Sequence, residues 1–353
     1  MRCCGFEPDS GCTGALERNR FMSTGYIFRR LLYMVLNLLL VISVAFFLFR
    51  LMPGDPVAAQ VGELGDIAVK ERLTESLGLN DPIIVQYGKY IGNLVQGDFG
   101  TSLSKQTPVS NIIFKGFINT GLLALVTFLV SYTFGSVIGS LLAWKRGRSV
   151  ERFGLSLALF FRGVPTFWAG MILVYVFAIK LNWLPASGMR TGNFGETSWS
   201  FYLSMEFLKH LILPVLAGTI TLFGLPLLLM RNMMVDALES GYIDLARAKG
   251  LSEFRVIFAH AFRNALLPLI AASTTIIGWL LGGLVAVEVV FSWPGLGREI
   301  VAAVSARDYT VAQGSLVLVG TLVVLMYFFG DLLSTYVDPR AKFGKARMVE
   351  GPA

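Results

Sequence analysis

The stretch GFINTGLLALVTFLVSYTFGSVIGSLLAW, residues 116–144, contains no charged side chain. About 20 apolar residues in a helix cross the ~30 Å hydrocarbon core of a bilayer, so this segment can span it with turns to spare. Backbone polar groups in lipid must pair within their own segment, which makes a helix the expected form. Working outward, five further runs have the same character: 31–49, 153–179 (interrupted only by Arg162), 211–230, 265–287 and 309–330. The expected fold is therefore all-α, a polytopic helical bundle with about six transmembrane helices.

Composition agrees. Of the residues, 54% are hydrophobic and 15% charged, against about 25% charged in soluble domains. The formal net charge of +7 raises the question of a nucleic-acid partner. The cations sit in short clusters between apolar runs, the pattern of a membrane protein, and no nucleic acid is expected. Cys3, Cys4 and Cys12 lie together near the N-terminus with no histidine nearby, so neither a disulfide framework nor a metal site is expected. The first apolar run is longer than a signal-peptide core and lacks a small-x-small cleavage site, so it reads as a retained helix. Met22 opens MSTGYIFRRLLYMVL like a natural start, and residues 1–21 read as an extension.

Lysine and arginine placement sets orientation. Clusters at Arg29–Arg30, at Lys145, Arg146, Arg148 and Arg152, at Arg231 through Arg263, and at Arg340 through Arg347 fall on one side of a six-span chain. That side is expected to be the cytoplasm, with both termini inside. The boundaries that follow are a cytoplasmic tail 1–28, a first helix 29–50, an external loop 51–115, a five-helix core 116–336 holding a cytoplasmic loop 232–263, and a cytoplasmic tail 337–353. Within the external loop a short helix is expected over 67–77, with Asp81-Pro82 extended after it.

The cytoplasmic loop reads ESGYIDLARAKGLSEFRVIFAHAFRNALLPLI over 239–270. Ser240 is placed to cap a short helix from Gly241 to about Lys249. Asp244 near its start and Arg247 and Lys249 near its end suit the helix dipole, and Gly250 stands where a left-handed residue ends a helix. A second helix capped by Ser252 would carry Phe254, Ile257, Phe258, Ala261 and Phe262 on one face, lying at the inner membrane surface. Two readings stay open on physical grounds: a rigid lever tied to two spans, or a basic inner loop that merely obeys the charge rule.

This loop resembles the coupling loop of ABC-importer permeases, the binding-protein-dependent transport family. The family's pattern is an acid, two small or apolar residues, three intervening residues and a glycine; here Asp244, Leu245, Ala246 and Gly250 stand at those positions, with Asp for the usual Glu and Leu for the first Ala. Leu267-Pro268 falls at the spacing of the dipeptide, oligopeptide and nickel branch. LFRLMPGDPV at 48–57, LGLNDPIIVQYGKYIGNLVQGDFGTSL at 77–103, VEVVFSWPGLG at 287–297, ARDYTVAQG at 306–314 and VDPRAKFG at 337–344 resemble that branch's other signatures. Departures are Gly121 where leucine is usual, Tyr327 for Asn and Ser334 for Tyr.

The resemblance implies a permease subunit of an inner (plasma) membrane importer, paired with a second, paralogous permease. Two ABC ATPase subunits would engage Tyr242, Asp244, Leu245, Ala246, Arg247, Gly250 and Leu251, and an external solute-binding protein would deliver di- or oligopeptides. No phosphate-binding G-x-x-x-x-G-K-[ST] loop occurs. The chain itself is therefore expected to be no enzyme and to bind no cofactor, ATP and Mg belonging to the ATPase subunits. Nickel chelates, opines and glycosides are carried by near branches.

Other candidates have double readings. Arg162 either snorkels or pairs across helices, or lines the solute path. Ser273, Thr274, Thr275 and Trp279, beside Gly278, Gly282 and Gly283, either permit close helix packing or line that path. Glu288, Trp293 and Pro294 are candidate contacts at the external face. His210 and His260 belong to opposite surfaces and cannot share a metal. A secondary transporter would need buried acids or broken helices in a repeated pattern at the midplane, and the sequence shows no buried acidic pair.

Overall fold

The structure, a computed structural model, describes residues 24–51, 74, 80–102, 104–192 and 199–337. In chain order, α1 (Thr24–Leu51) and the short α2 (Ile83–Val95) precede α3 (Val109–Trp144). Next come α4 (Ser149–Gly163) and α5 (Thr166–Leu173), the latter prolonged by π-helical backbone over Val174–Lys180. α6 (Met205–Leu222), α7 (Gly224–Leu238) and α8 (Gly241–Ala248) follow. Glu253–Arg255 and a π-helical stretch, Val256–Ala261, run directly into α9 (Phe262–Gly283). α10 (Val285–Val290), α11 (Leu296–Ser305) and α12 (Tyr309–Val337) complete the chain. No strand occurs among the described residues; one isolated bridge pairs Thr101 with Pro108.

Among the described residues four helices are long and apolar enough to cross a membrane: Gly25–Leu51, Val109–Trp144, Met205–Leu222 and Tyr309–Leu332. α4 and α5 count as a fifth crossing only as a pair, because the chain turns by 97° between them. The straight span expected over 153–179 is thus corrected to a bent one. Pro165 supplies no N–H and pushes the residue before it out of the helical region; Val164 sits at φ −74°, ψ 126°. The run expected over 211–230 is likewise divided at Phe223, since Pro226 cannot donate to the carbonyl one turn back.

α3 is the central helix, packed along α7 and against α6, α9 and α11. Glycines let the backbones close: a methyl group on Gly139 would strike the Leu227 carbonyl, and one on Gly135 would lie 2.8 Å from the Phe223 carbonyl oxygen. Leu123, Leu213, Ala217, Leu280, Leu284 and Trp293 form the main apolar core between α3, α6 and the α9–α10 region. α1 lies antiparallel to α12. Arg30 pairs with Asp331, Val41 faces Gly320, and the Phe49 ring is 6.1 Å from that of Tyr309. The start of α1 and the end of α12 therefore lie on the same side.

The helix expected over 67–77 falls outside the described residues except for Thr74. Thr74 is helical, and among the described residues the loop also holds α2, which begins after Pro82 at φ −55°, ψ 141°. The tails 1–23 and 338–353 also lie outside the described residues.

Candidate coupling surface and the polar knots that position it

α8 is eight residues long with one apolar face. Ile243 and Ala246, three apart, point inward, where Met230 and Met234 of α7, Val256, Ile257 and Ala261, and Ala265 and Leu269 of α9 close around them. Within this cluster α8 packs chiefly on the Val256–Ala261 stretch, which runs directly into α9. Outward it presents Tyr242, Asp244, Leu245 and Arg247, with Lys249 and Gly250 beyond its end; Leu245 is 58% exposed. Leu251 is half-buried against this cluster. Ala246 is 7% exposed, so its small side chain serves the packing of α8 onto the bundle, not the outer surface.

The end of α8 is built as its sequence suggests. Gly250 lies at φ 77°, a conformation that costs a residue with a Cβ about 1–2 kcal/mol. Its N–H donates to the Arg247 carbonyl (2.9 Å), and that of Leu251 to the Ala246 carbonyl (3.4 Å), the paired bonds of a Schellman turn. Arg247 donates to Glu253 across the turn at 3.0 Å and lies 3.8 Å from Asp244. The start differs from expectation. Ser240 is the residue before the first turn, yet its hydroxyl bonds back to the Ala237 carbonyl and caps nothing.

The separate surface helix expected after Ser252 is corrected too. The chain climbs through π-helical backbone into α9 without interruption. The wider π turn splits the expected stripe: Val256, Ile257 and Ala261 are buried, while Phe254, Phe258 and Phe262 form an outer ladder with ring centroids 4.7 and 6.1 Å apart. Pro268 falls inside α9.

A bracket of charged groups holds the neighbouring turn. Glu151 at the start of α4 is buried; one of its oxygens accepts from Arg231 Nε of α7 at 2.9 Å and from that guanidinium's Nη2, and the other accepts from the Gly147 N–H at 2.6 Å. Arg146 pairs with Glu239 at the far end of α7. The α3–α4 turn is thus tied to α7 at two points on either side of the last two turns before α8. Sequence reading passed over these residues, although Glu151 is the one acid in the basic run 145–152.

At the opposite end two buried carboxylates tie down loops. Glu288 Oε1 accepts from Thr120 Oγ1 (2.5 Å) and Oε2 from the Arg298 N–H (2.9 Å). Thr120 Oγ1 also accepts from the Leu296 N–H at 2.8 Å. Trp293 Nε1 donates to the Asn119 carbonyl (3.1 Å), and Asn119 Nδ2 to the Pro294 carbonyl (2.8 Å). Glu288 and Trp293 are wholly buried and Pro294 is half-buried, so the first two position the 291–298 loop from inside. Asp308 Oδ2 accepts from Ser102 Oγ (2.6 Å), Ser104 Oγ (2.7 Å) and the Ser104 N–H (3.2 Å). Burial pushes its carboxyl up, but these bonds and that from the Val311 N–H outweigh it and hold it below the usual carboxylate range.

The candidate path residues separate. Arg162 is exposed in the last turn of α4 beside the bend, not midway along a straight span. Ser273 is buried, donates to the Ile270 carbonyl at 2.6 Å, and lines an open cleft between α3 and α9 with Tyr132, Thr133, Ser136, Leu266 and Ile270. Thr274, Thr275 and Trp279 lie on α9, but their side chains fall outside the described residues. His210 is buried with Nδ1 3.1 Å from the Ser187 carbonyl oxygen, and His260 is exposed.

Comparison with known proteins gives a consistent result. Residues 135–343 match the family described as "Binding-protein-dependent transport system inner membrane component", and residues 23–124 match its companion N-terminal family. The chain is 39% identical to the oligopeptide transport system permease protein AppB of Bacillus subtilis over 90% of this chain and 99% of that one. It is 37% identical to the di/tripeptide transport system permease protein DppB of Pseudomonas aeruginosa, with 90% and 98% covered. It is 35% identical to the glutathione transport system permease protein GsiC of Salmonella paratyphi A, with 90% and 99% covered. Among solved structures, a chain of the inward-facing MetNI methionine ABC transporter has a similar fold, with TM-score 0.52, 19% identity, and 64% of this chain and 96% of that one covered.

Proposed function

The chain belongs to the binding-protein-dependent transport system inner membrane component family, and from that premise we propose that it forms half of the pathway of an ABC importer for di- or oligopeptides. The substrate class follows the relatives named as oligopeptide and di/tripeptide permeases. In this reading α9, 22 residues long and so about 33 Å, completes six crossings. Both termini then face the cytoplasm, together with α8 and the basic turn 145–148. The α3–α9 cleft with its serine and threonine hydroxyls is the side of the subunit that faces the solute path.

The observation that carries the coupling role is the mounting of α8. Its outer face meets one ATPase subunit through Tyr242, Asp244, Leu245 and Arg247, and a paralogous permease engages the second ATPase subunit in the same way. Its inner face packs on the Val256–Ala261 stretch that continues into α9, within an apolar cluster shared with α7, so a displacement of α8 is passed to α9 first. ATP and Mg remain with the ATPase subunits, and a solute-binding protein meets the end carrying α10 and α11. Gly250→Trp tests the role: the variant inserts in the membrane at normal abundance and its peptide uptake is abolished. Normal uptake by that variant overturns the assignment.

A further inference from the structure

We propose that α2 is a membrane element in its own right, lying in the external leaflet with one flank among the acyl chains. Sequence reading places α2 within the external loop 51–115, and its contacts with α1 set how deep in that region it lies.

The depth of α2 is set by what it touches. α1 is an apolar span from Gly25 to Leu51, about 40 Å of helix against a ~30 Å hydrocarbon core. Arg50, one residue from its end, marks the outer limit of its uncharged run 31–49; its guanidinium carbon folds back to 5.4 Å from the centroid of the Phe46 ring. α2 does not stop at that level. Tyr87 lies 2.6 Å from Ser43 through their hydroxyl oxygens, and Tyr87 and Tyr90 place their rings 5.2 and 5.5 Å from that of Phe46. Ser43 is two turns inward from Arg50, about 10 Å. The Ser43 hydroxyl proton goes to the Leu39 carbonyl at 2.6 Å, so Tyr87 is the donor of the pair. The Ser43 and Tyr87 hydroxyls are therefore both paired, at a depth where an unpaired one costs several kcal/mol.

The sequence of α2 divides into three stripes at helical spacing. Tyr87, Tyr90 and Leu94 turn toward the bundle. Gln86, Lys89 and Asn93 form a polar flank, with Lys89 paired to Asp81 at 2.6 Å. Ile84, Gly88, Ile91 and Val95 form the opposite flank, where Ile84 is 75% and Val95 83% exposed. A helix held at one side, with polar and apolar flanks facing apart, suits a water–lipid boundary. No residue of α2 is fully buried, and a 13-residue helix with so little protein cover is marginal in water. Lipid on the Ile84–Val95 flank supplies the missing apolar partner.

The inference uses the orientation given above only to name the leaflet, and its test is independent of the solute. The assembled transporter, with Cys3, Cys4 and Cys12 replaced by serine, is reconstituted in phosphatidylethanolamine–phosphatidylglycerol vesicles. Single nitroxide labels are placed through Ile84→Cys, Val95→Cys, Lys89→Cys and Asn93→Cys, and collision with oxygen and with a water-soluble nickel chelate is measured. The expected oxygen-to-nickel ratio at 84 and 95 is about threefold or more above that at 89 and 93. Equal, nickel-dominated ratios at all four sites place α2 in water and overturn the proposal. Exclusion of both reagents at 84 and 95 means a protein covers the flank and overturns it equally. Val95 lies at the far end of α2 and reads the same flank if a label at Ile84 prevents assembly. Peptide uptake by the labelled complexes, measured in parallel, tests the transport reading separately.

Discussion

At the end carrying α10 and α11, Glu288 and Asp308 are wholly buried and take their hydrogen bonds from hydroxyls and backbone N–H groups. At the end carrying α8, Glu151 is met by the guanidinium of Arg231, whose side chain keeps 23% exposure, and Arg146 and Glu239 pair in the open. The first arrangement is stiff, because its donors are loop backbone and short side chains that cannot follow a moving acceptor. The second joins long side chains that can shift while remaining paired. In the proposed orientation, the difference suits a subunit whose outer loops hold a fixed frame while its inner end carries a stroke.

The contrast can be broken most severely at Glu288. Glu288→Leu leaves the Arg298 N–H and the Thr120 hydroxyl without their buried acceptor, a loss of roughly 3 kcal/mol at 1–3 kcal/mol per orphaned donor. A large fall in the thermal midpoint of the solubilised complex is expected, and an unchanged midpoint would show that the knot bears little.

Asp308→Asn is expected to cost about 2 kcal/mol at neutral pH, since hydrogen bonds to an ionised group contribute about 1.5–3 kcal/mol. Because the folded carboxyl titrates below its ordinary value, its contribution is present above about pH 4 and fades as pH falls through the folded pKa. Thermal midpoints of parent and variant should therefore converge on acidification; a gap that widens below pH 4 has the wrong sign.

Glu151→Gln sharpens the comparison. Arg231 can reach water, so the expected cost is smaller, about 1.5 kcal/mol, but uptake falls several-fold at unchanged abundance. Substitutions at the outer knots should lower stability more than uptake per surviving complex. The same ratio of the two losses at both ends would remove the distinction. Smallest of all is Ser240→Ala. An ordinary N-cap loss costs about 1 kcal/mol, whereas here the hydroxyl serves only the Ala237 carbonyl, and a change under about 0.5 kcal/mol is expected by the same midpoint measurement.

Much of this was legible in the residues. Long uncharged runs gave the helices, and Gly250 marked the end of α8 because few residues accept its positive φ. The breaks were less visible: Pro165 and Pro226 sit within apolar runs and carry no charge, so a search for uncharged stretches passes over them. Contacts across the fold escaped altogether. Thr120 meets Glu288 from 168 positions away and Ser102 meets Asp308 from 206, and no local period records such pairs. α2 was missed because the polar composition of its loop masks three helical stripes, and the inward face of Ala246 because only the packed bundle shows which side of α8 is covered.

The central claim is that α8 receives the work of separate ATPase subunits. Leu245→Cys places a thiol on its exposed face, and a short bifunctional crosslinker in vesicles actively taking up peptide reads its neighbour directly. The account predicts capture of the ATPase subunit, with a yield that changes when ATP is bound, and no capture from Val304→Cys at the opposite end of the bundle. Vesicles that transport normally while Leu245→Cys never captures an ATPase would contradict it.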